Sequence, residues 1–410
     1  NVPLGFIQVR RSKDLVKWEF IGWAFPEIPH EAVEWVRSHA DGKGATNIWA
    51  PYIIPFGDKY RLYYCVSAFG LKTSYIGLAE SASPEGPWMQ RGCVVKTDAT
   101  SVMNAIDPSI IADSATGKWW MHYGSFFGGL YCVELNPETG LPVQEGDQGH
   151  LIARRATYWK DNLEAPEIIY NPELKQYYLF VSYDPLMTTY NVRVGRSDKA
   201  EGPFVDYFGV ELKDTTNNFP ILTAPYRFNN HPGWAGTAHC AVFTSDEGQY
   251  FMAHQGRLSP HNQMMDIHLR QVFFTSDGWP VVSPERYTGS ASRKFSAADI
   301  VGEWEIIRVQ EPAYERQLQA GQILWGEGQL KNEEWNVSCT LSLKKDGQLD
   351  ENKGYWKFAE RGQLLSLTLN GEYVDNLLVF AGHDWENETE TVLFTGLDSR
   401  GRSVWGKRTK

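Results

Sequence analysis

The sequence predicts an all-β chain: a five-bladed β-propeller over residues 1–290, then a small antiparallel β-barrel or sandwich over 298–410. Three observations carry this. A unit of several short strands recurs along the first part. Almost nothing before residue 285 has helical periodicity, and the strand pattern changes character after about residue 290.

The recurring unit has three parts. It opens on a short apolar strand at a proline: Trp49-Ala50-Pro51-Tyr52, then Ile106-Asp107-Pro108-Ser109, then Glu164-Ala165-Pro166-Glu167. The three prolines lie 57 and 58 residues apart, and a looser fourth copy is Thr237-Ala238-His239-Cys240. An aromatic strand follows in each unit, at 59–67, 118–126, 175–183 and 248–256. Alternating apolar residues and turn signals such as Phe56-Gly57-Asp58 mark these as hairpins. The unit closes on small polar turns, among them Gly86-Pro87-Trp88 and Gly202-Pro203-Phe204. Units of about four strands repeated radially describe a propeller.

Four units are complete. Residues 5–22 supply only the outer strands of a fifth, which predicts an upstream segment before Asn1 carrying an inner strand, an Asp-Pro opening and a secretion signal. The one predicted helix covers 31–38. In the tail, Gly302-Glu303-Trp304 opens a run of alternating strands, and its Gly-x-Trp start is similar to lipocalin-type barrels.

Composition narrows the function. A net charge of −11 with no basic run excludes nucleic-acid binding. No window approaches the ~18 apolar residues of a membrane span. The five cysteines form no CxxC pair, so neither a zinc site nor a disulfide framework is indicated, and Cys65 and Cys132 read as core. The 16 Trp and 20 Tyr suit both strand packing and stacking on sugars.

The opening strands start at the propeller funnel, which places Asp107 and Glu164 at equivalent depth on successive units. Either acid alone reads blandly, since Asp-Pro is a common turn and Glu is usually solvated. Together they are the minimum equipment for glycoside cleavage, where one carboxyl protonates the leaving oxygen.

Asn47-Ile48-Trp49-Ala50-Pro51, Asn104-Ala105-Ile106-Asp107-Pro108, Gly124-Ser125-Phe126-Phe127, Glu164-Ala165-Pro166 and Gly236-Thr237-Ala238-His239 resemble glycoside hydrolase family 43. The likeness is to its endo-α-1,5-L-arabinanase branch and runs over about residues 5–285. It implies a secreted, periplasmic or cell-surface monomer that hydrolyses arabinose-containing polysaccharide with inversion.

Residue by residue, the resemblance implies Glu164 as general acid and Asp107 as the carboxyl that tunes it. Trp49, Phe69, Asn104, Ser125 and Phe126 would contact substrate. His239 would help hold a calcium-type ion, largely through water; its bland reading is a satisfied strand histidine.

The chain departs from the pattern in three places. Tyr52 replaces the usual Asp after Trp-Ala-Pro, Phe127 stands where many arabinanases carry Trp, and the family's base, an Asp on the first inner strand, is expected upstream of Asn1. Two rival readings are an exo-acting arabinofuranosidase or xylosidase of the same family, and a propeller that only binds glycans. The loops 28–46, 186–191 and 213–234 would decide between groove and pocket.

Overall fold

The computed structural model describes residues 6–156, 159–214, 217–312, 330–350, 354–369 and 371–409. The expectations attached to Asn1 and Gly5 lie outside those residues. So do Thr215 and Thr216 in the loop 213–234, and Lys353 and Asn370 within two predicted tail strands. The described chain is all-β, and no helix in it is long and apolar enough to cross a membrane.

Two compact units divide the chain. One comprises Asn1–Lys13, Lys17–Val181 and Gly195–Asn217; the other comprises Asp14–Val16, Ser182–Val194 and Asn218–Lys410.

In the first unit, Gln8–Arg11 and Glu19–Trp23 form a two-stranded antiparallel sheet. Next comes the helix His30–His39, two residues longer than the sequence predicts, with Ala32 and Val36 buried against the sheet that follows. That sheet is a four-stranded meander of Trp49–Phe56, Lys59–Ser67, Ser74–Ser81 and Met89–Thr97. A second meander runs through Ser109–Ala112, Trp119–Tyr123, Leu130–Leu135 and His150–Ala153. Between the two meanders lies a core of Tyr63, Cys65, Ile76, Ile110, Met121 and Tyr123, all nearly inaccessible to water.

The alternating aromatic strands form because β-branched and aromatic side chains fill a pleated, two-sided interior. In Lys59–Ser67 and Trp119–Tyr123 nearly every residue is buried, as befits strands covered on both faces. A third meander follows the order Leu163–Asn171, Gln176–Tyr183, Asn191–Ser197, Ile221–Thr223.

The second unit contains the fourth meander, Ala241–Thr244, Tyr250–Leu258, Asp266–Phe274 and Pro280–Val282. Its nine-residue strand Tyr250–Leu258 is long enough to pair twice, with Ala241–Thr244 at one end and Trp234–Ala235 at the other. Trp234–Ala235 continues the sheet through Tyr226–Arg227 to Asn336–Val337, which joins in parallel from the tail.

The tail itself is one seven-stranded antiparallel sheet ordered Cys339–Leu343, Gly302–Arg308, Ser403–Arg408, Thr389–Leu397, Glu372–Asp384, Leu364–Leu369, Gly354–Ala359. Its two edge strands are linked through the intervening turn: Lys344 N–H donates to Gln348 and Trp356 N–H to Gly347. The sheet thus rolls around a core drawn from every strand, including Trp304, Leu343, Trp356, Leu365, Leu377, Phe394 and Val404. Of the sandwich and barrel alternatives, the tail takes the barrel.

Candidate active site

Each meander begins at a bend that sequence reasoning did not see. Ala50, Asp107, Ala165 and His239 have φ of 31°, 58°, 54° and 51°, the left-handed region that non-glycine residues seldom occupy. The first three precede Pro51, Pro108 and Pro166, and the fourth precedes Cys240. Such strain costs about 1–3 kcal/mol per residue and concentrates at functional sites. It also corrects the expected register: the position equivalent to Asp107 is Ala165, so Glu164 stands one residue earlier than the matched depth the repeat implies.

The offset still brings the two acids together. Asp107 is 5% exposed, and burial first, then the charge of Glu164, hold its carboxyl well above the usual carboxylate range. The Ala165 N–H bonds the Asp107 carboxylate and opposes that rise. Its Oδ2 is buried without a hydrogen-bond partner among the described residues. Ser125 Oγ donates to Glu164 Oε2 at 2.7 Å, and the backbones of the two residues form an antiparallel bridge. Two carboxyls repelling one another in a desolvated place retain a proton more readily than either would alone.

The predicted aromatic wall is present. Trp49 and Phe69 meet edge to face with centroids 6.1 Å apart and border a cavity of about 370 Å³ with Lys43, Thr46, Ser67 and Leu71. Trp49 is fixed by its indole N–H bond to Asn47 Oδ1 at 2.5 Å, while Phe69 is 43% exposed. Sugar rings present an apolar face that suits such a wall.

Asn104 is buried, its Oδ1 receiving the Ser74 hydroxyl at 2.6 Å, with Ser74 linked in turn to Ser67. Ser125 lies at the acid itself. Phe126 is 7% exposed and mainly packs. His239 belongs to the second unit, half-buried, with its backbone N–H donated to Ser182 Oγ at 2.8 Å.

Two parts of this neighbourhood escaped sequence reasoning. Cys65 is a core residue as expected, but it also holds the site: its thiol donates to the Trp49 carbonyl at 3.1 Å, and the Asp107 backbone N–H bonds its sulfur. Ser109 carried no signal of its own, although it follows Pro108 just as Tyr52 follows Pro51.

A desolvated, proton-retaining carboxyl beside a second acid serves acid-assisted cleavage of glycosidic bonds. The class of protein this frame and site define is therefore a glycosidase.

Comparison with known proteins gives the family. The chain belongs to the glycosyl hydrolases family 43, whose pattern matches residues 3–280, and residues 284–406 match a C-terminal lipocalin-like domain. An extracellular endo-α-(1→5)-L-arabinanase of Thermotoga petrophila is 29% identical over 452 residues, covering 98% of this chain and 90% of that protein. An extracellular exo-α-(1→5)-L-arabinofuranosidase of Cellvibrio japonicus is 31% identical over 306 residues, covering 70% and 83% respectively. The crystal structure of an endo-1,5-α-L-arabinanase from Thermotoga petrophila superimposes with a TM-score of 0.82 at 27% identity, covering 99% of this chain and 94% of that one. The resemblance read from the motifs is thus borne out, as is the lipocalin-like character of the tail.

Proposed function

We propose that this family-43 glycosidase is a secreted monomer that cleaves α-1,5-linked arabinan with inversion. Its catalytic part would be a five-bladed propeller over 1–290, followed by the barrel at 298–410. The observation that carries the reading is the Asp107–Glu164 pair, held at a strained strand start and tied to Ser125.

In this reading Glu164 delivers a proton to the departing sugar oxygen, and Asp107 is the neighbouring carboxyl that orients and tunes it. Ser125 orients the Glu164 carboxyl through its hydrogen bond. Trp49 and Phe69 hold a sugar ring by stacking while Asn104, locked by Ser74, offers its amide to a hydroxyl. Inversion also uses a base on the opposite face of the sugar, and neither Glu164 nor Asp107 takes that part.

The exposed aromatic wall and the arabinanase relatives that match nearly the whole chain support endo action on a long glycan, and the extracellular place of those relatives supports secretion. The repeated meanders support the propeller.

A hard cation at His239 fits what surrounds it. His239 stands on the same kind of left-handed bend as Asp107, and the Thr237 hydroxyl two residues away is buried without a partner among the described residues. The one group of three acids that lies close enough to share an ion, among the described residues, is Glu285, Asp384 and Glu386, far along the chain from His239. His239 would hold the cation with one imidazole nitrogen, and water would complete its shell. Such a cation would supply a fixed positive charge at that bend.

Digestion of linear α-1,5-arabinan tests the reading. Viscosity should fall before reducing ends accumulate, and NMR of the first product should show the inverted anomer. Release of monosaccharide alone would favour the exo reading, which the Cellvibrio japonicus relative represents. Binding without any cleavage would sink both. Chelation should lower turnover of the wild type and leave His239→Ala unaffected.

A further inference from the structure

One rung beneath the reacting carboxyls, the three residues that follow the repeat prolines touch one another. Ser109 Oγ donates to Glu167 Oε2 at 2.8 Å and accepts the Ile168 backbone N–H at 3.1 Å. The Tyr52 hydroxyl is hydrogen-bonded to Ser109. Ser109 is inaccessible to water and Glu167 is 5% exposed. Tyr52, Ser109 and Glu167 thus join the first strands of three successive meanders, Trp49–Phe56, Ser109–Ala112 and Leu163–Asn171, side chain to side chain.

We infer that Tyr52, Ser109 and Glu167 form a positioning belt that fixes Asp107 against Glu164, and that in this chain the belt's single carboxylate sits on the third meander. This rests on the assignment of Asp107 and Glu164 above. Ser109 lies two residues after Asp107 and Glu167 three after Glu164, so the Ser109–Glu167 bond and the Ile168–Ser109 bond clamp the two acid-bearing segments. Interaction between two carboxyls changes steeply with their separation in a desolvated site. A slip of the clamp therefore changes the proton affinity of the pair before it changes the fold.

The belt also explains a departure in the sequence. Where the family pattern has Asp after Trp-Ala-Pro, this chain has Tyr52, and the acid of the rung appears instead at Glu167. Burial, with the charge of Glu167 added, keeps the Tyr52 phenol in its neutral, proton-donating form. A second acid on the rung would repel the first. With no acid at all, the Ser109 and Tyr52 hydroxyls would have to share acceptors in a buried place, at a cost to both.

Five variants test this against the wild type: Tyr52→Phe, Ser109→Ala, Tyr52→Asp, Glu167→Tyr, and the exchange Tyr52→Asp with Glu167→Tyr. Each is assayed on arabinan for kcat, KM and the pH profile, alongside thermal unfolding. Tyr52→Phe and Ser109→Ala should lower kcat by roughly 3–10-fold with KM nearly constant, as expected for loss of one hydrogen bond felt in the transition state. Both should move the alkaline limb of the profile to lower pH.

Tyr52→Asp should lose on the order of 10²-fold, and the exchange should recover most of that loss, a non-additive pair. An unmoved alkaline limb in both Tyr52→Phe and Ser109→Ala, with only the melting temperature lowered, would reduce the belt to a structural element and overturn the proposal. So would an exchange no better than the product of its single changes. Should the wild type fail to cleave arabinan, the functional reading fails first and separately; the belt would then be judged on the best glycoside substrate found.

Discussion

Two clusters of buried acids sit in this protein, one in each compact unit, and they are built on opposite principles. In the first unit Asp107 and Glu164 face one another, with the Ala165 backbone N–H bonding Asp107 and the Ser125 hydroxyl bonding Glu164. In the second unit Glu285, Asp384 and Glu386 surround the ammonium of Lys407, which is itself fully buried. Lys407 Nζ lies 3.0 Å from both Glu285 and Asp384 and bonds Glu386 more closely still.

The electrostatic outcomes differ accordingly. Burial opposes the charge on Lys407, but Glu285 and Glu386 outweigh it and raise its pKa. Asp384 is held below the usual range by Asn387 and Lys407 despite its burial. Glu285 is pushed by desolvation up to about 8 even beside Lys407. The comparison teaches how to tell a working acid cluster from a structural one. The three-acid group has the spacing of a metal site, yet an ammonium already fills its centre, so its charge is spent on holding strands together. The Asp107–Glu164 pair sets a desolvated acid against a second carboxyl, so that Asp107 keeps its proton, which is the condition for moving one.

The sharpest way to break this contrast is Glu164→Gln. It removes a transferable proton at constant size, so turnover of arabinan should fall on the order of 10²–10⁴-fold, with little change in melting temperature. An aryl arabinoside with a good leaving group should lose far less. Equal losses on both substrates would move Glu164 into the structural class.

The mirror experiment is Lys407→Met. Glu285, Asp384 and Glu386 would then lack their cation, and breaking a buried pair in this way costs about 3–5 kcal/mol. Denaturant unfolding should show that loss while turnover per folded molecule holds steady. A large fall in turnover of the folded fraction would mean that the second cluster serves catalysis.

The smallest effect belongs to Glu285. Folded, it keeps a proton up to about pH 8, whereas the unfolded chain releases it near the ordinary 4.5. Its contribution to stability is therefore complete below about 4.5 and is lost as pH rises through about 8. Glu285→Gln should flatten the decline of melting temperature across that window. An unchanged slope would remove Glu285 from the account.

What could be read from the sequence was whatever repeats or alternates. The strand Lys59–Ser67 was legible to the residue because its aromatic alternation runs between two turn signals, and the helix His30–His39 because it is the one amphipathic stretch before the tail. Glu164 and Asp107 were legible through their prolines, as was their one-residue offset from them, but the left-handed bends at Ala50, Asp107 and Ala165 were not, since they leave no mark on composition. Lys407 could not be found at all. Its partners come from two separate stretches, Glu285 in one and Asp384 with Glu386 in the other, each ordinary by itself, and only the rolled tail sheet and the end of the fourth meander bring them to Lys407. The parallel pairing of Asn336–Val337 with Tyr226–Arg227 is equally silent: two residues carry no period, and their partner lies 110 positions away.

That short pairing bears on how the gene for such a protein could be shortened. Asn336–Val337 caps the outer rim of the fourth meander, and Asn336 also bonds the Pro225 carbonyl through both its backbone and its side chain. Ser403 and Thr395 reach Ile221 and Val282 in the same way. A chain ending near residue 290 would keep the whole catalytic pair yet lay bare the backbone of Tyr226–Arg227, and uncovered strand rims invite self-association. In this chain the lipocalin-like tail is thus also a cover for a strand rim that the fourth meander by itself would leave bare.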